Sequence, residues 1–167
     1  AQRNEIPLVF DDTESLFNAR REWDALVIAI SVEATFEVLK LALESQAPIL
    51  VEKPVVRRSD DLLPYIGQGL PVIVGYNRRF YRTIQEARQE ATDNSPLLAH
   101  LCVPDSVRTP DDPQEDPDYL RPFYANSVHG LDLARYVFGD LNIEHVQRIQ
   151  NPAGALLGMV ATLSAPG

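Results

Sequence analysis

An acid, a base and a proline follow an apolar run near the start of the chain. Residues 48–51 read Pro-Ile-Leu-Val, and Glu52, Lys53 and Pro54 come directly after them. A lysine at the mouth of an apolar strand is partly desolvated, which pulls its pKa toward neutrality and suits a general acid or base. The proline fixes the turn and permits a cis bond that would aim the lysine. An exposed lysine after a strand is the competing interpretation.

His129 is the second residue whose surroundings suggest chemistry. Asn126 lies three residues before it and Asp132 three residues after it, so the three side chains share one face of a helix. An imidazole beside a carboxylate can hold one tautomer and relay protons. The alternative is a histidine at a helix start whose nitrogen atoms are satisfied by a cap or by water.

Composition and charge exclude several classes of protein. The net charge of −9 opposes binding to nucleic acid or to an anionic membrane. One cysteine and three histidines without zinc-ligand spacing predict no metal site. The longest apolar run, residues 25–30, is too short to span a bilayer, and the polar start does not resemble a signal peptide. These features predict a cytoplasmic protein with no nucleic-acid or membrane partner.

Strand and helix patterns alternate at short intervals in the first half of the chain. The predicted strands are 6–10, 25–30, 48–51 and 71–75, and the predicted helices are 11–21, 35–44, 59–66 and 81–91. Because residues 25–30 are all apolar, we expect that strand to be covered on both faces of a parallel sheet. The alternation predicts a doubly wound α/β unit, in which ligands bind beyond the carboxyl ends of the strands. Ile30, Ser31, Glu52–Pro54 and Tyr76–Arg78 follow such ends.

The second half of the chain has a different character. Residues 97–103 are consistent with a strand, and residues 104–122, with five prolines and six acids, predict a solvated loop, lid or crossover. A helix is expected over 127–138, closed by Gly139, and antiparallel strands over 143–149 and 155–163. The predicted fold is therefore a partial Rossmann-like parallel sheet in residues 1–76, followed by a partial α+β domain with antiparallel strands in residues 77–167.

Four stretches of the chain together resemble a known family, the glucose–fructose oxidoreductase, inositol dehydrogenase and rhizopine-catabolism (Gfo/Idh/MocA) oxidoreductases. The stretches are WDALVIAI at 23–30, ILVEKP at 49–54, VIVGYNRRF at 72–80 and VHGLDLARYVFG at 128–139. A Glu-Lys-Pro strand end followed by an Asn-Arg-Arg-Phe strand end is an unusual combination. The resemblance extends over residues 6–163.

The resemblance implies a reaction and the residues that perform it. In the family, the lysine matching Lys53 touches both a nicotinamide cofactor, NAD or NADP, and the substrate, while the histidine matching His129 is an acid/base. The implied reaction is hydride transfer between a sugar or polyol and the nicotinamide. Ile30, Ser31, Glu52, Lys53 and Pro54 would line the nicotinamide, and Arg78, Asn126 and Asp132 would contact substrate. The open sheet of the second domain implies a homo-oligomer.

Three departures from the family keep a second interpretation open. No Gly-rich turn for a pyrophosphate is present, so we expect the chain to begin after that turn. Ala125 stands where catalytic members commonly carry an aspartate, and Thr35 stands where a histidine is frequent. The alternative is a non-catalytic relative that binds a sugar, nucleotide or protein partner as a regulator or assembly subunit.

Overall fold

The chain divides into two compact units, Ala1–Gly75 and Tyr76–Gly167, in a computed structural model. The structure describes residues 8–19, 22–93, 98–103 and 126–165. The predicted fold class is confirmed, since the first unit holds a parallel sheet and the second an antiparallel one. The segment 104–122 lies outside the described residues.

The first unit is built on three short parallel strands in the order β1-β2-β3. The strands are β1 (Leu26–Ile28), β2 (Ile49–Val51) and β3 (Val72–Val74). The helical segments are α1 (Thr13–Ala19), α2 (Val32–Leu43) and the 3₁₀ helix Ser59–Tyr65. The third helix takes the tighter form although its pattern predicts an ordinary helix. Pro64 lies inside it, and a proline has no N–H for an α-helical bond and clashes with the preceding turn.

Local capping explains where α1 begins. The Asp12 side chain accepts a hydrogen bond of 2.6 Å from the backbone N–H of Ser15. Such a bond satisfies one of the donors that a helix start leaves unpaired. The helix predicted over 11–21 therefore begins at Thr13, directly after this cap. The same backbone bond is the largest cause that lowers the pKa of the Asp12 carboxyl.

One face of the parallel sheet forms the core of the first unit. The buried apolar residues of this core are Ile28, Leu39, Ala42, Ile49, Val51 and Val55. Side chains on a strand alternate between faces, so Ile49 and Val51 are buried while Leu50 between them is not.

The opposite face of this sheet is open in the described part of the chain. Val27, Leu50 and Ile73 lie side by side in register and are 70%, 45% and 69% exposed. The expectation that residues 25–30 are covered on both faces is therefore wrong for the described residues. Phe17 of α1 and Leu39 of α2 both join the same core cluster, which leaves the other face without cover from these helices.

Two predicted strands do not form where the structure describes them. Residues 8–10 and 98–103 have no strand structure, and Leu8 and Leu98 are exposed. Residues 6–7 and 97 lie outside the described ranges. An apolar run becomes a strand only when a neighbouring strand accepts its backbone hydrogen bonds, and neither segment has such a neighbour among the described residues.

The second unit combines helices with an antiparallel hairpin. Its elements are the 3₁₀ helix Asn77–Phe80, α3 (Arg82–Asp93), α4 (Val128–Phe138), β4 (Asn142–Gln150) and β5 (Leu156–Ser164). The predicted helices over 81–91 and 127–138 and the predicted antiparallel pair are confirmed. Gly139 ends α4 at φ 80°, a backbone conformation that favours glycine, and its N–H bonds to the Arg135 carbonyl.

A glycine allows α4 to approach the segment that follows α3. A Cβ atom added at Gly130 would lie 2.2 Å from Cγ2 of Val103, which is far inside van der Waals contact. Beside this contact is a cavity of about 450 Å³, lined mainly by apolar side chains of residues 98–103, α4 and β5. Gly130 therefore sets how closely Val103 packs on the helix.

Candidate functional site

Five of the predicted site residues lie at one edge of the parallel sheet. We call them the strand-end group: Ile30, Ser31, Glu52, Lys53 and Pro54. Ile28 and Val51 are aligned in the parallel ladder and end their strands together. The backbone N–H of Glu52 donates a 2.8 Å bond to the carbonyl of Ile28, which continues the pairing one step beyond the strands. The two chain segments therefore leave the sheet side by side.

The members of the strand-end group differ in exposure. Ile30 and Ser31 are exposed, Lys53 is half-buried and Pro54 is buried. The Lys53–Pro54 bond is cis, as the sequence analysis allows. The Ser31 carbonyl accepts bonds from the N–H of Thr35 at 3.1 Å and from its hydroxyl at 2.9 Å. This pairing holds Ser31 at the start of α2, where β1 passes into the helix.

Glu52 lies against the end of the third strand. The N–H of Gly75 donates a 2.8 Å bond to the Val51 carbonyl, so Gly75 extends the pairing of β3 with β2. A Cβ atom added at Gly75 would meet the Glu52 carboxylate at 3.3 Å. The absence of a side chain at Gly75 therefore leaves room for the Glu52 carboxylate over the backbone of this strand end.

The predicted site residues of the second unit fall into two groups. His129 and Asp132 are buried on α4, whereas Asn126 and Arg78 are exposed. The His129 ring meets the Tyr76 ring edge to face, with 6.2 Å between the ring centroids. The structure therefore brings His129 and Asp132 together on one buried side of the helix. Asn126, which the spacing places on the same face, remains on the surface.

Asp132 is bound by an arginine that the sequence analysis did not select. Nε of Arg79 donates a 2.8 Å bond to Oδ2 of Asp132, and a terminal guanidinium nitrogen donates to Oδ1. The Arg79 guanidinium lies 5.3 Å from the ring centroids of both Tyr76 and Tyr136. We call these four residues, Tyr76, Arg79, Asp132 and Tyr136, the arginine clamp.

The surroundings of the two clamp tyrosines shift their pKa values in opposite directions. Burial, and then the nearby Asp132 charge, raises the pKa of Tyr76. Hydrogen bonding from Arg88 and then from Gln85 lowers the pKa of Tyr136. The hydrogen bond to Asp132 is the largest cause that raises the pKa of Arg79, which keeps the guanidinium charged.

One signal in the sequence indicates that an arginine pairs with Asp132, but it does not choose between Arg78 and Arg79. A carboxylate placed on the buried side of a helix requires a counter-charge, because an unpaired buried charge is strongly unfavourable. The Arg-Arg pair after β3 offers two cations whose exposure differs, since Arg78 is exposed and Arg79 is half-buried. The sequence alone does not say which of the two turns inward.

The described part of the chain shows neither a metal-ligand cluster nor a membrane-spanning helix. No three His, Cys, Asp or Glu side chains gather there as a metal site would need. Among the same residues, no helix has both the length and the apolar character that crossing a membrane requires.

Comparison with known proteins reveals similarity to solved structures. No family model matches the sequence, and no curated protein matches it. An oxidoreductase from Agrobacterium radiobacter, in complex with NAD+, L-tartaric acid and magnesium, has a TM-score of 0.65 at 21% identity; the match covers 92% of this chain and 48% of that one. An oxidoreductase from Thermotoga maritima has a TM-score of 0.69 at 16% identity, covering 99% and 55%.

A third structure is an inositol dehydrogenase homologue complexed with NAD+ from Azotobacter vinelandii. Its TM-score is 0.60 at 16% identity, and the match covers 84% of this chain and 42% of that one. These likenesses show the fold. The chain spans about half the length of the solved structures that it matches.

Proposed function

We propose that the chain is part of a nicotinamide-dependent oxidoreductase of the Gfo/Idh/MocA family. The observation that carries the proposal is the position of Lys53, half-buried at the carboxyl end of β2 and beside the end of β1. This edge is where open parallel sheets bind their ligands. The fold shared with two structures that hold NAD+ adds support.

The strand-end group fits one half of the proposed cofactor, NAD or NADP. A nicotinamide ring has apolar faces and one polar carboxamide. Ile30 offers apolar surface, while Ser31 and Glu52 offer polar atoms at the same edge of the sheet. Pro54 is buried at the same strand end. These side chains would hold the ring, and the chemistry that a bound nicotinamide supplies is acceptance or donation of a hydride at C4.

The roles of the remaining residues follow from the chemistry of an alcohol oxidation. The Lys53 ammonium would donate a hydrogen bond to the substrate oxygen, which stabilises the negative charge that develops there. His129 would take the hydroxyl proton while the hydrogen on the same carbon leaves with both electrons of its bond, as a hydride that the nicotinamide accepts. In the reverse direction His129 would return the proton. Arg78 and Asn126, both exposed, would contact the substrate, or in the case of Arg78 a phosphate.

The proposed substrate is a sugar or polyol. The support is the inositol dehydrogenase homologue among the structural neighbours, together with the resemblance stated above. Substrates of this class carry several hydroxyl groups, which charged and amide side chains recognise by directional hydrogen bonds.

Chemical labelling tests the role of Lys53 in cofactor binding. The sequence contains two lysines, Lys53 and Lys40, so each is the other's control. Lys40 lies on α2 and pairs with Glu37 at 2.6 Å. We expect NAD+ or NADP+ to protect Lys53 from an amine-reactive reagent while Lys40 is labelled at an unchanged rate, as followed by peptide mass spectrometry. Equal labelling of Lys53 with and without either dinucleotide would argue against the proposed site.

Turnover provides the second test of the proposed enzyme. Lys53→Ala should reduce kcat with polyol substrates by orders of magnitude, about 10²-fold or more, since a positioned acid/base group contributes that much. Lys40→Ala should leave kcat unchanged. If the two variants have the same rate, Lys53 has no part in the mechanism.

The alternative function is a non-catalytic relative that binds a sugar, nucleotide or protein partner. Ala125 in the place of the family's aspartate favours it. Calorimetric titration of the full-length protein with NAD+ and NADP+ separates the two candidates. Heat of binding supports the oxidoreductase, and its absence with both dinucleotides supports the non-catalytic role.

Self-association through the antiparallel sheet is also proposed. Ile143, Val160 and Leu157 are exposed on β4 and β5, and exposed apolar surface of this kind favours association. Light scattering behind a sizing column should give the mass of a homo-oligomer. Val160→Lys should reduce that mass, because a charge on the sheet opposes its burial.

A further inference from the structure

Arg79 occupies the carboxylate of Asp132, which the family resemblance assigns to substrate. Both oxygens of Asp132 accept hydrogen bonds from Arg79, and the Asp132 side chain is only 7% exposed. A planar guanidinium and a carboxylate paired in this two-point manner hold each other in a fixed orientation. A substrate hydroxyl would therefore have to displace Arg79 to reach Asp132.

Tyr76 connects this ion pair to the imidazole of His129. The Arg79 guanidinium lies 5.3 Å from the centroid of the Tyr76 ring. The centroid of the same ring lies 6.2 Å from that of the His129 ring. An edge-to-face contact is a directional one that favours a single ring orientation. His129 also lies one helical turn before Asp132 on α4, so the backbone fixes their separation.

We propose that Tyr76 and Arg79 are positioning residues for His129, and that Asp132 serves as the counter-ion of Arg79 instead of a substrate contact. The catalytic meaning of this arrangement rests on the proposed function, in which His129 moves the proton. Tyr76 would hold the plane of the imidazole. The neutral Arg79–Asp132 pair would keep a net charge away from it.

The charges that surround this part of α4 determine the expected effects. Arg79 and the Tyr76 phenol come from the segment after β3, Asp132 and Tyr136 lie on the helix itself, and Arg88 comes from α3 and lies over the Tyr136 ring. The two members of the ion pair already act on Tyr76 in opposite senses, since Asp132 raises and Arg79 lowers the pKa of that phenol. Removal of either partner should therefore leave a net charge near His129, and this charge should shift its titration midpoint.

Nuclear magnetic resonance of the histidine rings tests the inference on the intact chain without any cofactor. The sequence has three histidines, and His129→Gln identifies the signal of His129. In Arg79→Met the uncompensated carboxylate should raise the titration midpoint of His129 by about one pH unit, and in Asp132→Asn the uncompensated guanidinium should lower it by about as much. The double variant Arg79→Met/Asp132→Asn should return close to the wild-type midpoint.

The contact with Tyr76 has its own readout. Tyr76→Leu should remove the ring-current displacement of the His129 proton signals, whereas Tyr76→Phe, which keeps an aromatic ring, should retain it. Arg135→Met is the matched control for Arg79. Arg135 lies on α4 and pairs with Asp140 at 2.7 Å on the surface, so its loss should move neither the midpoint nor the displacement.

The outcomes separate this inference from the proposed function. An unchanged His129 midpoint in Asp132→Asn would overturn it, even if Arg79→Met does not fold. So would an Asp132→Asn variant that loses substrate affinity while the His129 titration stays as in the wild type, since Asp132 would then be a substrate contact. Failure to bind NAD+ or NADP+ would refute the oxidoreductase and leave the resonance results standing.

Discussion

Ser31, Glu52 and Lys53 lie together because the backbones of two parallel strands end side by side, whereas Arg79 and Asp132 lie together because their side chains bind each other across 53 positions of sequence. In the first unit, backbone hydrogen bonds from Glu52 and Gly75 position the strand-end group, and this positioning does not depend on its side chains. In the second unit, a guanidinium, a carboxylate and two phenol rings place one another.

The two arrangements should respond differently to substitution. A site placed by the backbone depends on the core beneath the sheet and tolerates changes of its own side chains. A site placed by side chains is sensitive at each member, because removing one partner leaves the other buried without compensation. The variants below test this difference, in order of decreasing effect.

The largest effect is expected in the core that carries the strand-end group. Ile49→Ala should lower the free energy of unfolding by about 3 kcal/mol, since it removes a buried side chain from the central strand and leaves a cavity. Leu50→Ala, the neighbour on the open face, should lower it by less than about 1 kcal/mol. Urea unfolding measures both. Equal losses would mean that the open face is covered in solution.

The arginine clamp should show coupling where a surface pair does not. Arg79→Met and Asp132→Asn should each reduce stability by about 2 kcal/mol, below the range for fully buried pairs because Arg79 is partly exposed. The double variant should lose less than the sum. The same cycle on Arg135 and Asp140 should be close to additive. Additivity at Arg79 and Asp132 would mean that these two side chains have no coupling energy.

The contrast between the units also explains what the sequence could predict. The strand at residues 49–51 is predictable from its local apolar pattern. A parallel strand that ends in Glu-Lys-Pro places those residues at the edge of the sheet, whichever strands it pairs with. The strand-end group was therefore predictable from the sequence. The open face over Leu50 was not, because an apolar residue indicates a preference for burial and not the presence of a neighbour.

The clamp was only partly predictable for a related reason. The spacing of His129 and Asp132 places them on one helix face, and the structure shows that both are buried. The partner of Asp132 depends on which of Arg78 and Arg79 turns inward, which is decided by packing between distant segments. The same limit applies to residues 98–103, where an apolar pattern has no strand beside it among the described residues.

Close packing against α4 should give a smaller loss of stability on substitution, and a second substitution should recover most of it. Gly130→Ala should lower the free energy of unfolding by about 1–2 kcal/mol, since the new methyl group would collide with Val103. Val103→Ala introduced in the same chain should recover most of that loss, because it removes the colliding methyl groups. Gly158→Ala is the control, as its Cβ would meet no atom within 4 Å. If Val103→Ala gives no recovery, the described contact does not limit the approach to the helix.

The smallest effect is spectroscopic and concerns the Tyr76 and Tyr136 rings, both of which lie near Arg79. Burial raises the pKa of Tyr76 above the usual phenol value of 10.0, so the folded state retains this proton and the corresponding stability is lost as pH rises through the raised pKa. Hydrogen bonding lowers the pKa of Tyr136, so its contribution has the opposite sign: it is present above the usual value and lost as pH falls through the lowered pKa. In an absorbance titration of phenolate, Tyr136→Phe should remove signal from the low-pH part of the curve and Tyr76→Phe from the high-pH part. If both variants remove the same part of the curve, the two rings share one environment and the clamp is not asymmetric.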